Sequence, residues 1–268
     1  MAVDPTELLS LAREAVSRAA ILVASTRWQA LGQVDSKSTP TDPVTAADRA
    51  AERLVVDTIL DARPDDGVLG EEGAERHGTS GVRWVLDPID GTVNFLYGIP
   101  AYAVSLAAEV DGQTMVGVVR NVVTTEEWTA VRGEGAYLGE TRLGGSTVTR
   151  LDRALVGTGF AYDPERRRQQ ARVLLDVVPR VRDIRRIGSA ALDLCAVAEG
   201  RLDAYYEWGL SPWDLAAGEL IAAEAGVLVT GLRGRPAGQP MTLAAPPALH
   251  GALHDVLAEL DADGPAAA

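Results

Sequence analysis

The sequence predicts a protein of mixed α and β structure in two unlike halves: an α+β half built on an antiparallel sheet, then an α/β half. Two long stretches near the start carry a helical apolar period, and from about Trp84 the period falls to two. From about Arg150 short strands and helices alternate.

The first helix is expected from Pro5 to Leu31. Asp4, Pro5 and Glu7 form a cap, a first-position proline and a reciprocal acid, and Leu8, Ala12, Val16, Ala19 and Val23 share one face. The second is expected from Thr45 to Ala62, with Ala47, Ala51, Leu54, Val55 and Ile59 facing in and Arg63-Pro64 ending it. Strands are expected at Trp84 to Leu86, Tyr102 to Val110, Met115 to Val122, Glu127 to Arg132 and Gly135 to Leu138. Asp111-Gly112 is a tight hairpin turn between two of them. Gly144-Gly145-Ser146 is the expected hinge, dividing the chain into residues 1–145 and 146–268. Beyond it come a strand at Leu155 to Gly157, helices at Glu165 to Val178 and Ser189 to Glu199, and a strand at Ala204 to Glu207. A helix from Pro212 to Ala225, a strand from Val227 to Thr230 and a helix from Pro247 to Leu260 complete the pattern.

The chain has 268 residues, 47% of them hydrophobic and 24% charged, the composition of an ordinary soluble globular protein. No apolar run approaches the 18 or so residues of a spanning helix, and no secretory leader is visible at the start. Cys195 is the one cysteine, which excludes an internal disulfide and favours a cytoplasmic location. A formal charge of -13 argues against a general nucleic-acid binder. It also means that an anionic ligand needs something to offset the carboxylates. All basic residues but Lys37 are arginine.

Acids recur at turns. Gly70-Glu71-Glu72-Gly73 follows an apolar run, Asp87-Pro88-Ile89-Asp90-Gly91-Thr92 follows a strand, and Ser211-Pro212-Trp213-Asp214 opens a helix. Side chains so placed can converge from separate segments, and hard divalent cations take such carboxylate and carbonyl oxygens. Gly91 and Thr92 offer backbone N–H groups to an anion at a helix start. Each acid also has an ordinary explanation: Asp214 and Asp48 as helix caps, Glu71 and Glu72 as solvated turn residues, Asp-Pro and Asp-Gly as turn dipeptides. Their joint occurrence is what needs a site.

Lys37 to Asp48, Gly70-Glu71-Glu72, Trp84 to Phe95 and Trp213 to Gly218 are the segments by which the sequence resembles the inositol monophosphatase family of Mg²⁺-dependent, lithium-sensitive sugar phosphatases, over nearly the whole chain. The resemblance implies a layered αβαβα sandwich, a homodimer, and two or three Mg²⁺ ions per site, with Mn²⁺ as a substitute. It implies that Glu71, Asp87 and the Ile89 carbonyl hold a first metal, and that Asp90 and Asp214, sharing Asp87, hold a second. Thr92, steadied by Asp48, would help Glu71 deprotonate a water for in-line attack on phosphorus, with Lys37 near the phosphate. Asp90, Gly91, Thr92, Glu207 and the Gly188-Ser189-Ala190 turn would contact the substrate. Valine at position 93, where relatives acting on histidinol phosphate or phosphoadenosine phosphate typically carry lysine, favours the inositol branch. The segment between Glu72 and Trp84 looks short and is expected to be mobile, leaving room for a broader range that includes fructose 1,6-bisphosphate.

These readings converge on a phosphomonoesterase acting on myo-inositol 1-phosphate or a similar polyol phosphate, without membrane or nucleic-acid partners. One segment suggests a rival. Arg166 to Arg186 contains eight arginines and two acids, a net of +6 in an acidic chain. Solvated helix faces or dimer pairs explain it ordinarily; a docking surface for an acidic protein or RNA would make the chain a regulatory module on a phosphatase scaffold.

Overall fold

The computed structural model describes residues 3–30, 34–36 and 43–264. The N-terminal part contains α1 (Pro5–Ala30), β1 (Val34–Ser36), β2 (Pro43–Thr45), α2 (Ala46–Ala62), β3 (Gly67–Gly70), β4 (Glu75–Arg76), β5 (Val82–Asp90) and α3 (Thr92–Tyr97). A meander follows: β6 (Ala103–Val110), β7 (Gln113–Asn121), β8 (Glu127–Val131), β9 (Gly135–Leu138) and β10 (Thr141–Arg142). The remainder contains β11 (Leu155–Thr158), α4 (Pro164–Val177), β12 (Asp183–Arg185), α5 (Ala190–Glu199), β13 (Ala204–Trp208), α6 (Pro212–Glu224), β14 (Leu228–Thr230), β15 (Met241–Ala245) and α7 (Pro247–Glu259).

Two sheets result. One has the order β10-β9-β8-β7-β6-β5-β3-β4 and is antiparallel except where β3 runs parallel to β5. The other is mixed, with order β12-β11-β13-β15-β14 and β11 parallel to both β12 and β13. Alternation along β5 assigns its two faces: Trp84 and Leu86 pack with Val16, Val55 and Ile59 of α1 and α2, whereas Val85 joins Leu194, Leu220 and Ile221 of α5 and α6. That second core continues to Tyr205 and Ala244 of the mixed sheet. The far face of the mixed sheet, with Val156, Tyr206 and Leu243, is covered by Val177 of α4 and Leu249, Leu253 and Leu257 of α7. The layers are therefore α, β, α, β, α, the sandwich that the family resemblance implies.

Local chemistry explains the boundaries. Asp111 and Gly112 both have positive φ (51° and 81°), as a two-residue turn joining twisted strands requires. Thr45 caps α2, its hydroxyl accepting from the Ala47 N–H at 3.1 Å. The structure adds the short elements β1, β2, β3, β10, β12 and α3 to those expected, and departs from expectation in larger features too. β5 is nine residues long and carries the acids themselves. β15 was not anticipated. The segment between Glu72 and Trp84, expected to be mobile, contains β4 and is tied down where Thr79 donates to the Asp65 carbonyl at 2.7 Å and Ser80 Oγ donates to Asp66 at 2.6 Å. Among the described residues no helix is long and apolar enough to cross a membrane.

Candidate active site

The site forms where β5 ends. Asp87 pairs with Ser105 and Asp90 with Ala103, so three steps along β5 match two along β6: a bulge. In a regular strand residues three apart point to opposite faces. Pro88, with no N–H for the ladder, sits within the bulge, and the distortion turns both acids toward one point. Asp214, third residue of α6, joins them, and single oxygens of Asp87, Asp90 and Asp214 lie within 4.8 Å of one another.

Each acid is held by backbone. Asp87 Oδ1 accepts from the Ile89 N–H (2.9 Å), and Asp214 Oδ2 from the Ser211 N–H (2.8 Å). Asp90 faces the start of α5, where Ser189 Oγ (2.6 Å), the Ala191 N–H (2.7 Å) and the Ala190 N–H (3.3 Å) donate to it. Gly91 then turns the chain with φ 96°; a Cβ there would lie 2.9 Å from the Ala101 carbonyl and 3.1 Å from that of Gly188. Thr92 Oγ1 is 3.3 Å from Asp48 Oδ1 and 3.1 Å from the Ile89 carbonyl, so its one proton is shared between them. Asp48 Oδ2 meanwhile accepts from the Thr45 N–H at 2.8 Å. Asp48 and Asp214 both act as helix caps, while Asp48 gives its other oxygen to Thr92 and Asp214 also meets Asp87 and Asp90.

Crowded acids resist ionisation. Burial, then the charges of Glu71, Asp90 and Asp214, push the Asp87 carboxyl well above its usual range, and a hydrogen bond to Glu71 adds to this. Burial and then Asp90 and Glu71 do the same to Asp214. Burial raises Asp90 to about 6 against the lowering effect of its Ser189 and Ala191 bonds. Glu207, at the end of β13, accepts from Tyr205 Oη at 2.5 Å and is pushed by burial up to about 7.

Asp87, Asp90, Asp214 and Glu207 line one cavity of about 600 Å³, within the range of small-molecule sites, whereas Asp48, behind Thr92, is not part of its lining. β11 and β13 are adjacent and parallel, so the segments at their C-terminal ends, Gly159 to Asp163 and Glu207 to Ser211, form neighbouring walls. Glu71, Ile89, Gly91, Thr92, Gly188, Ser189 and Ala190 all line it as well, although the Ser189 hydroxyl is already engaged with Asp90. Lys37 lies outside the described residues. His77, His250 and His254, which fall outside every motif, are not part of the lining.

The donor set suits hard divalent cations: two buried carboxylates and one half-buried one, none ion-paired among the described residues, whose mutual repulsion a cation would relieve. Sequence reasoning missed four contributors. Glu52 accepts from the Glu72 N–H (2.8 Å) and the Ala74 N–H (3.0 Å), fixing the turn that carries Glu71. Asn94 donates to the Ala101 (2.7 Å) and Ile187 (2.9 Å) carbonyls, joining α3 to the Gly188 turn. Arg166 and Trp208 stack in the wall.

Three carboxylates converging in a cavity of this size could hold a divalent cation. A profile of the inositol monophosphatase family matches residues 4–262, and the chain belongs to that family. It is 49% identical over 263 residues to the inositol-1-monophosphatase SuhB of Mycobacterium tuberculosis, covering 91% of each chain. It is 41% identical over 232 residues to the Nus factor SuhB of Escherichia coli, covering 85% of this chain and 86% of that one. The solved structure of Mycobacterium tuberculosis SuhB superposes with a TM-score of 0.84 at 43% identity, covering 98% of this chain and 100% of that one. The Staphylococcus aureus SaIMPase-II, solved with inositol monophosphate bound, gives 0.79 at 29% identity, covering 96% of each.

Proposed function

We propose that the chain is a Mg²⁺-dependent phosphomonoesterase that hydrolyses myo-inositol 1-phosphate or a similar polyol phosphate. The observation that carries this reading is the meeting of Asp87, Asp90 and Asp214 in a cavity that also presents Thr92 and Glu207. Bound divalent cations would supply positive charge to the phosphoryl oxygens and make a water acidic enough to attack. Asp87, Asp90, Asp214, Glu71 and the Ile89 carbonyl would hold them. Thr92, its proton committed to Asp48 and the Ile89 carbonyl, presents lone pairs that can orient the attacking water. Glu71, hydrogen-bonded to Asp87, is placed to take its proton. Glu207 accepts hydroxyls of the polyol, and the Gly188 to Ala190 turn bounds the ring. Lys37 is assigned to the phosphate by family resemblance.

The test is phosphate release from inositol 1-phosphate, fructose 1,6-bisphosphate, histidinol phosphate and phosphoadenosine phosphate. Activity should require Mg²⁺, vanish in chelator and be inhibited by lithium; turnover undiminished by chelator would refute the mechanism.

The Escherichia coli relative's name as a Nus factor favours a second reading, a regulatory role for the scaffold. Asp214→Asn separates the two, because regulation should survive it and hydrolysis should not.

A further inference from the structure

The basic segment from Arg166 to Arg186 is largely accounted for by local partners. Arg168 pairs with Glu165, Arg180 with Glu259 at 2.8 Å and Arg185 with Asp183 at 2.6 Å, while Arg167 donates to the Ala161 carbonyl at 3.0 Å. Arg27, near the end of α1, is engaged differently. Among the described residues no carboxylate pairs with it; its Nε donates to the Phe95 carbonyl at 2.7 Å and its Nη2 to the Leu96 carbonyl at 3.0 Å. Its guanidinium carbon lies 5.0 Å from the Trp28 ring centroid and 6.0 Å from that of Phe95, so aromatic faces flank the fork. Gly98 leaves the space: it ends α3 with φ 72°, and a Cβ there would lie 2.8 Å from Arg27 Nη2.

α3 matters because it begins with Thr92. Six residues are too few to hold a helix in place by themselves, and its N-cap, Gly91, offers no side chain. The placement of Thr92 therefore depends on what ties α3 to the rest of the chain. Thr92 Oγ1 has only one proton for partners at 3.3 and 3.1 Å, and Asn94 fixes the middle of the helix. Arg27 fixes the far end, where the Phe95 carbonyl lies three residues from Thr92, about 4.5 Å along the axis. α1 is a firm base for this tie, since Leu8, Ala12, Val16, Ala19 and Val23 are fully buried in the core that holds Trp84 and Leu86. Phe95 is fully buried as well, edge-on to Tyr102 with ring centroids 5.4 Å apart.

We propose that Arg27 is a positioning residue for hydrolysis: by binding two successive carbonyls at the end of α3, it sets the placement of Thr92 against the attacking water. This rests on the phosphatase reading above and extends it to a residue outside the cavity lining. Two donors in one rigid plane fix both the position and the rotation of the helix end, whereas an ammonium on a flexible stem leaves the rotation free. Neither the acid cluster nor Glu207 lies on α3, so metal and polyol binding need not change when α3 shifts. A role confined to folding makes the opposite demand: a lower Tm with kcat intact.

The experiment measures inositol 1-phosphate hydrolysis, half-saturating Mg²⁺ and Tm for the parent, Arg27→Lys, Arg27→Met, Thr92→Ala and the Arg27→Met/Thr92→Ala double variant, with assays well below every Tm. Arg27→Met should lower kcat by about tenfold, since slight misplacement of an aligning group costs at least that much, while KM and half-saturating Mg²⁺ stay within about twofold. Arg27→Lys, which keeps the charge and one donor, should fall between. In the Thr92→Ala background the same Arg27→Met change should alter kcat by less than about twofold, because residues acting through one another are not additive. Unchanged kcat in Arg27→Met, or the same loss with and without Thr92, overturns the proposal. Absence of phosphate release by the parent from every ester instead overturns the phosphatase reading, and amide exchange then still decides whether Arg27 places α3. The Phe95 N–H, bonded to the Gly91 carbonyl at 3.0 Å, and the Ile99 N–H, bonded to that of Asn94 at 2.9 Å, should exchange about tenfold faster in Arg27→Met. Equal exchange in the two proteins overturns the placement.

Discussion

The floor and the wall of the cavity are built differently. On the floor, Asp87, Asp90 and Asp214 each accept from backbone N–H groups, and Asp48 behind them gives one oxygen to Thr92 and the other to the Thr45 N–H. On the wall, Glu207, Arg166 and Arg186 are held by a tyrosine hydroxyl, a stacked ring and the clearance left by glycines. Floor geometry is therefore inseparable from helix and strand termini, whereas wall residues can change with little effect on the fold. A floor so anchored suits an invariant chemical step; a wall so adjustable suits the choice of substrate.

The largest expected effect falls on the floor. Asp90→Asn or Asp214→Asn keeps shape and removes a charge, and should lower kcat by at least about a hundredfold, as loss of one strong contact in a preorganised site does. Tm without Mg²⁺ should hold or rise, because repulsion among the acids is relieved. Near-normal kcat in either variant would break the assignment of floor to chemistry.

A smaller effect is expected from the wall. A Cβ on Gly159 would overlap the Glu207 carboxylate. Gly159→Ala should displace that acid and raise KM for a polyol monophosphate by about tenfold, the scale of one misfit group in a binding pocket, with kcat changed less. A fall in kcat with KM intact would move Glu207 from wall to floor.

This division also explains what could be read from sequence. α1, α2 and the Asp111-Gly112 hairpin were legible because their period or turn chemistry is local. The acids were legible as turn residues, and Pro88 hinted at the bulge that makes Asp87 and Asp90 converge. β15 was not legible: both its faces are covered, Ala244 by one core and Leu243 by another, so it shows no alternation. α3, at six residues, is too short for periodicity. Glu52 was hidden in the inward stripe of α2, where Asp48 and Glu52 precede Val55 and Ile59 at helical spacing and are buried with them, while Leu54, expected inward, is only half-buried. Arg166, in the first turn of α4, and Trp208, the last residue of β13, are 42 positions apart, and the pairing of β11 with β13 brings the two segments together.

The buried acids of floor and wall together also predict how the metal-free protein responds to pH. Asp90 and Glu207 have folded values of about 6 and about 7 against ordinary values of 3.8 and 4.5, and Asp87 and Asp214 are shifted the same way. Between the ordinary and raised values the folded chain holds protons that the unfolded chain releases, so stability falls as pH rises through that window. Surface acids paired with arginine, such as Glu126, are shifted down and act below their ordinary value, outside the range from pH 5 to 8. In chelator, Tm should therefore decline by a few degrees from pH 5 to 8, given that about 1 kcal/mol moves Tm by ~2–4 °C in a chain of this size. Saturating Mg²⁺ should flatten the decline. A chelated protein whose Tm rises over this range would contradict the crowding of the floor.

The smallest effect should come from Asp193, an acid that belongs to neither surface. It is 1% exposed, and its Oδ1 has no hydrogen-bond partner among the described residues. Its carboxyl is raised well above the usual range by burial, then by Glu207 and Asp90, and the Gly188 N–H bonds to it. Gly157 packs beneath, where a Cβ would lie 2.9 Å from Asp193 Oδ1, so a larger side chain has no room. Asn is the near-isostere that keeps an acceptor for Gly188 while abolishing any charge beside Glu207 and Asp90. Asp193→Asn should accordingly leave kcat within about threefold and hold or raise Tm at pH 8, where a buried unpaired charge is costliest. Asp193→Leu should instead lose ~1–3 kcal/mol of stability, because the Gly188 N–H is left buried without an acceptor. Asp193 does not line the cavity. If Asp193→Asn nevertheless lowers kcat as far as Asp90→Asn does, the buried acid acts on the reaction through Asp90, and the boundary of the floor lies one layer deeper than the cavity wall.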